Sequence, residues 1–138
     1  MHTFEDLKNL LMVNYSEKDI NLVIKAFHFA SEAHRGQKRR TGEDYIYHAI
    51  STAYNLAKMK MDIASIAAGL LHDVPEDTDF SFDDIKNNFG GEITYLVRGV
   101  TKLGTIKYRG LERYAENLRK MFLAMSQDLR IIIIKLAD

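Results

Sequence analysis

Apolar residues recur at helical spacing along most of the chain, and many of these stretches are bracketed by a capping residue or a glycine. Phe4 to Val13 predicts a first short amphipathic helix. Ser16 with Asp19 resembles a capping box in which Asp stands in for Glu or Gln. It precedes an apolar period through Ile20, Val23, Ile24, Phe27 and Ala30, a helix that should stop near Gly36. Tyr45, Ala49, Thr52, Ala53 and Leu56 predict another amphipathic helix. Asp62 then opens a more uniformly apolar one through Ile63, Ile66, Ala67, Leu70 and Leu71, expected to be central. That pattern ends at His72 and Asp73, because Pro75 disfavours helical geometry at Val74. Ser81 with Asp84 restarts a short helix closed by Gly90 and Gly91, and Ile93 to Val100 fits one more. Leu111, Tyr114, Leu118, Met121 and Met125 carry a further period after the glycine-spaced loop Gly104 to Gly110. Ile131 to Ile134 is apolar all round. Propensity alone would make it a strand, but with no partner strand elsewhere it reads as a buried helix.

Composition narrows the class. One proline and eight glycines are too few to punctuate a many-stranded sandwich or barrel, so the expected fold is all-α. A chain of 138 residues makes one domain, able to bury roughly 68% of its unfolded surface. No stretch approaches the ~18 apolar residues of a membrane span. Without cysteine there are no disulfides, thiolate nucleophiles or Cys-based zinc sites, and the N-terminus lacks a signal-peptide pattern; a cytoplasmic protein is the expectation.

The 19 basic and 19 acidic residues cancel, which gives no reason to expect nucleic acid or a membrane surface as partner. Charge is nonetheless segregated. Arg35, Lys38, Arg39 and Arg40 form a basic cluster, whereas Met61 to Ile85 contains seven acids and no Lys or Arg. A solvated helix end would account for such a run, but its order is suggestive: His72-Asp73 and Glu76-Asp77 put two candidate ligands and two candidate acid–base groups within six residues. Neighbours on a helix point about 100° apart, so His72 and Asp73 can share an ion only where other elements complete its shell. His48, on a separate helix, is a candidate third ligand. Asp138, after an apolar run, is a candidate fourth, since a carboxylate there is costly unless solvated or paired. His28 and His34 read as structural or solvent-facing.

His48, His72-Asp73 and Asp138 resemble the H…HD…D pattern of the HD phosphohydrolase superfamily. The surrounding text is more specific: AHRGQKRRTGEDYIYH (33–48), IAAGLLHDVPEDT (66–78), VTKL (100–103), AENLRKM and IIIIKLAD. It is similar to the N-terminal hydrolase domain of the bifunctional RelA/SpoT family, which makes and degrades the alarmone (p)ppGpp, and the similarity runs from about residue 20. VTKLGTIKYRG (100–110) resembles the long two-activity enzymes more than the small stand-alone hydrolases. The family's pattern continues past LAD with an arginine- and asparagine-bearing segment. The expectation is therefore that residues 1–138 are a single HD-type helical bundle and an N-terminal fragment of a longer chain, whose activity on its own is left open.

The resemblance implies that His48, His72, Asp73 and Asp138 ligate one metal, manganese in the family, with Zn²⁺ and Fe²⁺ as chemically admissible alternatives. It implies that Glu76 and Asp77 position and deprotonate a water, that Arg39 stacks on guanine, and that Arg40 and Thr41 line the nucleotide site. The implied reaction splits the ribose 3′ ester of (p)ppGpp into GDP or GTP and pyrophosphate. The implied partners are the guanine nucleotide and a following synthetase domain, with no nucleic acid and no membrane. Gly104 to Gly110 is then a candidate mobile element between two opposed activities. The chain departs from the family at Asp44 and Ala49, where relatives often carry proline. Two other readings stay open: an HD phosphohydrolase for another nucleotide, and a catalytically silent regulatory module of a synthetase.

Overall fold

The computed structural model describes residues 2–104 and 128–138, which form eight α-helices and no strand beyond one isolated bridge. The helices are α1 (Phe4–Asn14), α2 (Glu17–Ala33), α3 (Tyr45–Lys58), α4 (Ile63–Leu71), α5 (Val74–Asp77), α6 (Phe82–Phe89), α7 (Gly91–Gly104) and α8 (Leu129–Ala137). Thr3, Ser16, Asp62, Ser81 and Asp128 cap their helices through their side chains, whereas Asp44 and Asp73, which precede α3 and α5, make no side-chain capping bond. Ser16 Oγ accepts from the Asp19 N–H at 3.2 Å, and Thr3 with Asp6 and Ser81 with Asp84 form reciprocal capping boxes. Asp62 caps α4 through the Ser65 N–H at 3.3 Å.

α4 is the hub. Every residue from Ala64 to Leu71 is buried, and the helix packs against α2, α3, α7 and α8. A helix hydrophobic all round has to be enclosed, and α4 is. Two glycines let neighbours come close. A Cβ on Gly69 would lie 2.6 Å from Leu56 Cδ1 of α3, and one on Gly99 of α7 would lie 2.8 Å from Ile131 Cγ1 of α8. Ile131 and Ile134 are fully buried, so the β-branched run is helical because tertiary burial outweighs its strand propensity. At the far end of the hub Arg130 gathers three carboxylates. Its Nη1 reaches Asp62 and Glu92, both at 2.9 Å, and its Nη2 reaches Asp128 at 2.8 Å, joining the starts of α4, α7 and α8.

Two sequence expectations change. Val74 is helical: it opens the single turn α5, with Pro75 in the first turn, where a missing N–H costs nothing. Gly91 begins α7 instead of closing α6, which Gly90 alone terminates. The glycine-spaced loop beyond Gly104 and the periodic segment Leu111 to Met125 lie outside the described residues. No described helix is long and apolar enough to cross a membrane.

Candidate metal centre

α4 ends by delivering His72 and Asp73 into the gap between helices. The helix breaks at His72, and the turn before α5 frees the two adjacent side chains from the divergence that a continuous helix would impose. His72 is 2% exposed, and its Nδ1 donates to the Gly69 carbonyl oxygen at 2.6 Å. Its Nε2 therefore faces inward, 2.8 Å from Asp73 Oδ2 and 3.1 Å from Asp138 Oδ1. α3 supplies His48, whose Nε2 lies 2.5 Å from the same Asp138 oxygen. α8 supplies Asp138 at its C-terminal end, with the Asp138 N–H donating to the Ile134 carbonyl and Lys135 Nζ 3.0 Å from its other oxygen. Donor atoms from all four residues lie within 4.8 Å of one another.

The electrostatics of this cluster call for a positive centre. With Nδ1 committed to a carbonyl, a neutral His72 would aim a bare lone pair at two carboxylate oxygens. Burial opposes charging the ring, but hydrogen bonds donated by the ring to Asp138 and Asp73 outweigh it and hold the His72 pKa up at about 10. Asp138 shows the converse. Burial pushes its carboxyl up, yet contacts with His48, His72 and Lys135 keep it far below the ordinary range. Asp73 is likewise held down against burial by His72 and by the Tyr45 hydroxyl, which donates to its Oδ2. Two imidazoles and two carboxylates give a formal −2 set, and this fits a divalent cation: an ion at the common focus replaces the His72 proton and neutralises both acids.

Around the cluster stand the other residues singled out in the sequence. Arg39 sits in a tight hairpin between α2 and α3, where its N–H bonds to the Glu43 carbonyl at 2.9 Å, Lys38 bridges to Asp44, and Gly42 turns the chain at φ +90°. Its Nη1 donates to His48 Nδ1 at 2.8 Å. Arg40 and Thr41 are exposed at the hairpin tip, outside the cluster of donor atoms. Glu76 and Asp77 lie on α5, one turn beyond Asp73, and line an open groove of about 530 Å³ with Arg35 and Gln37 of the facing loop. Burial, then the neighbouring Asp73 charge, pushes the Asp77 carboxyl up against the opposing pull of His34 and His72.

Three contributors were not singled out for the site. Tyr45, buried against His34 at 4.6 Å between ring centroids, anchors Asp73, and burial followed by that bond drives its phenol pKa upward. It lies three residues before His48, so helical spacing could have flagged it. The same spacing relates Lys135 to Asp138. His34 caps the end of α2, 3% exposed, with Nδ1 donating to Gln37 at 2.9 Å. Its burial depends on the hairpin folding back, which periodicity does not encode.

A His-Asp pair at a helix break, joined by a histidine and an aspartate from two other helices, makes this a helical domain with a candidate divalent-metal site. Residues 26–138 match the HD domain family, and the chain belongs to that family. It is 45% identical over 139 residues to the bifunctional (p)ppGpp synthase/hydrolase SpoT of Escherichia coli K12, covering 100% of this chain and 20% of that protein. It is 46% identical over 134 residues to the guanosine-3′,5′-bis(diphosphate) 3′-pyrophosphohydrolase of Aquifex aeolicus, covering 97% and 19%. A solved structure described as a metazoan ortholog of SpoT that hydrolyzes ppGpp superposes with a TM-score of 0.66 at 30% identity, covering 84% of this chain and 65% of that one. The chain spans about a fifth of the length of the curated relatives it matches.

Proposed function

We propose that this chain is a divalent-metal-dependent hydrolase domain that removes the 3′-pyrophosphate of guanosine 3′,5′-bis(diphosphate) or its triphosphate analogue, with Mn²⁺ as the cofactor. The observation that carries the reading is the convergence of His48, His72, Asp73 and Asp138, with His72 Nδ1 bonded to the Gly69 carbonyl so that Nε2 faces the cluster. The names of the relatives supply the substrate. When bound, the ion contributes Lewis acidity toward phosphoryl oxygen and makes a nearby water more acidic.

The chain's own groups do the rest. Asp73 is oriented by Tyr45, and His72 by the Gly69 carbonyl, so these two ligands are held in place by the chain itself. Glu76 and Asp77 border the groove beside it, and the raised carboxyl of Asp77 suits a group that accepts a proton from the attacking water. Arg39, Arg40 and Thr41 form the cationic, exposed rim for the nucleotide, Arg39 by stacking its guanidinium plane on guanine. In the longer polypeptide, a synthetase would be the partner domain.

The direct test is pyrophosphate release from ppGpp by the purified chain with and without Mn²⁺. Release that requires the ion and disappears in Asp73→Ala is expected. Mn²⁺ bound at one equivalent without any release would instead favour the silent regulatory reading, and release from adenosine analogues at equal rate would favour another nucleotide.

A further inference from the structure

The two histidines of the cluster have opposite partners at Nδ1. His72 donates its Nδ1–H to the Gly69 carbonyl oxygen, so Nε2 is the nitrogen that faces the cluster and can ligate once a cation replaces its proton. His48 is the reverse. Arg39 Nη1 lies 2.8 Å from its Nδ1, and a guanidinium has donors only, so Nδ1 must be the acceptor. The proton of the neutral ring then sits on Nε2 and points at Asp138 Oδ1, 2.5 Å away. An Nε2–H cannot ligate. For His48 to join a metal site its proton has to leave Nε2 for solvent while Nδ1 takes one up, with no net change in protons. Nδ1–H would then face the guanidinium, donor against donor, and Arg39 has to withdraw.

We propose that Arg39 is a latch on the metal site: it holds His48 in the tautomer that cannot ligate, and arrival of a divalent cation releases the guanidinium to the nucleotide. This rests on the reading above that His48 is a ligand. The hairpin suits the task, because backbone bonds from Arg39 to Glu43 and from Gly42 to Arg39 fix the base of the side chain, while the exposed side chain itself is free to swing. Two consequences follow from one shared group. Metal loading strengthens nucleotide binding, and by linkage a nucleotide that draws Arg39 away tightens the metal by the same factor.

Mn²⁺ titration calorimetry on the chain, Arg39→Ala and Arg40→Ala tests this, together with ¹⁵N histidine spectra of the metal-free chain. Arg39 is exposed, so its truncation leaves the core untouched. The latch predicts that Arg39→Ala binds Mn²⁺ about three- to tenfold tighter, the factor a single net hydrogen bond is worth. Arg40→Ala removes the same charge one residue away and is expected to change the affinity less than about twofold. The spectra should show His48 protonated at Nε2. Unchanged or weaker binding in Arg39→Ala overturns the latch, as does equal tightening in Arg40→Ala or a proton found on His48 Nδ1. Each of these leaves the metal reading standing, whereas a wild-type chain that binds no Mn²⁺ removes both.

Discussion

At the scale of single residues, the proposed site separates groups that would hold an ion from groups that would act beside it. His72→Ala and Asp73→Ala each delete a donor from a set in which all the donor atoms converge, and each should abolish stoichiometric Mn²⁺ binding together with hydrolysis. Calorimetry on either variant checks this, and one equivalent of retained ion contradicts the ligand assignment. Glu76→Gln keeps the shape of a side chain that lies outside that cluster, so it should bind Mn²⁺ normally and lose roughly 10²-fold in turnover. An unchanged rate would move the proton acceptor to Asp77 alone. His72-Asp73 and His48 were visible as types and spacings, because few reasons other than a site put a histidine and an acid at the end of an apolar helix. Spacing relates Tyr45 to His48, but its bond to Asp73 was not legible, since it depends on a hydroxyl reaching a carboxylate that is 28 residues away in sequence.

At the scale of elements, the question is what brings α8 to the cluster, since it delivers only Asp138 and does so from the far end of the chain. Its register depends on Ile131 seating against Gly99, where an added Cβ would come within 2.8 Å of Ile131 Cγ1. Gly99→Ala should therefore destabilise the chain by about 1–3 kcal/mol, the usual cost of overpacking, and weaken Mn²⁺ binding by displacing Asp138. Ile131→Ala in the same chain should recover much of the lost metal affinity, because it removes the colliding atoms. Melting curves and Mn²⁺ titrations on the single and double variants read both effects, and an additive pair would refute the coupling. The capping signals at Ser16, Asp62 and Ser81 made the starts of α2, α4 and α6 legible in sequence. The start of α5 was misread because Pro75 ends one helix by the same property that lets it begin the next.

For the whole molecule, proton and metal compete for one cluster, and the pH dependence follows. The His72 pKa is raised from 6.5 to about 10, so in the metal-free chain its contribution to stability is full below 6.5 and is lost as pH rises through about 10. Asp73 and Asp138 are depressed from 3.8, so their contribution is present above that value and is lost as pH falls toward their folded values. Melting of the chelator-treated chain should therefore decline as pH rises from 6.5 toward 10, while the stabilisation added by a fixed Mn²⁺ concentration grows over the same window. Melting temperatures across that range, with and without Mn²⁺, check the sign of both trends, and a flat metal-free profile would contradict the cluster described here.

What the sequence determined by itself was local: helix periods, the capping residues, the apolar hub from Ile63 to Leu71, and the residue types from which a metal site could be assembled. Those follow from interactions within a turn or two of backbone, which a linear pattern records. The convergence of His48, His72 and Asp138 across 90 residues, the freeing of His72 and Asp73 by a helix break, and the seating of Arg39 on His48 were decided only by the tertiary structure. Each depends on how α3, α4 and α8 cross, and that is set by residues such as Gly69, Gly99 and Ile131, whose one-dimensional signal is no different from that of any other small or apolar residue.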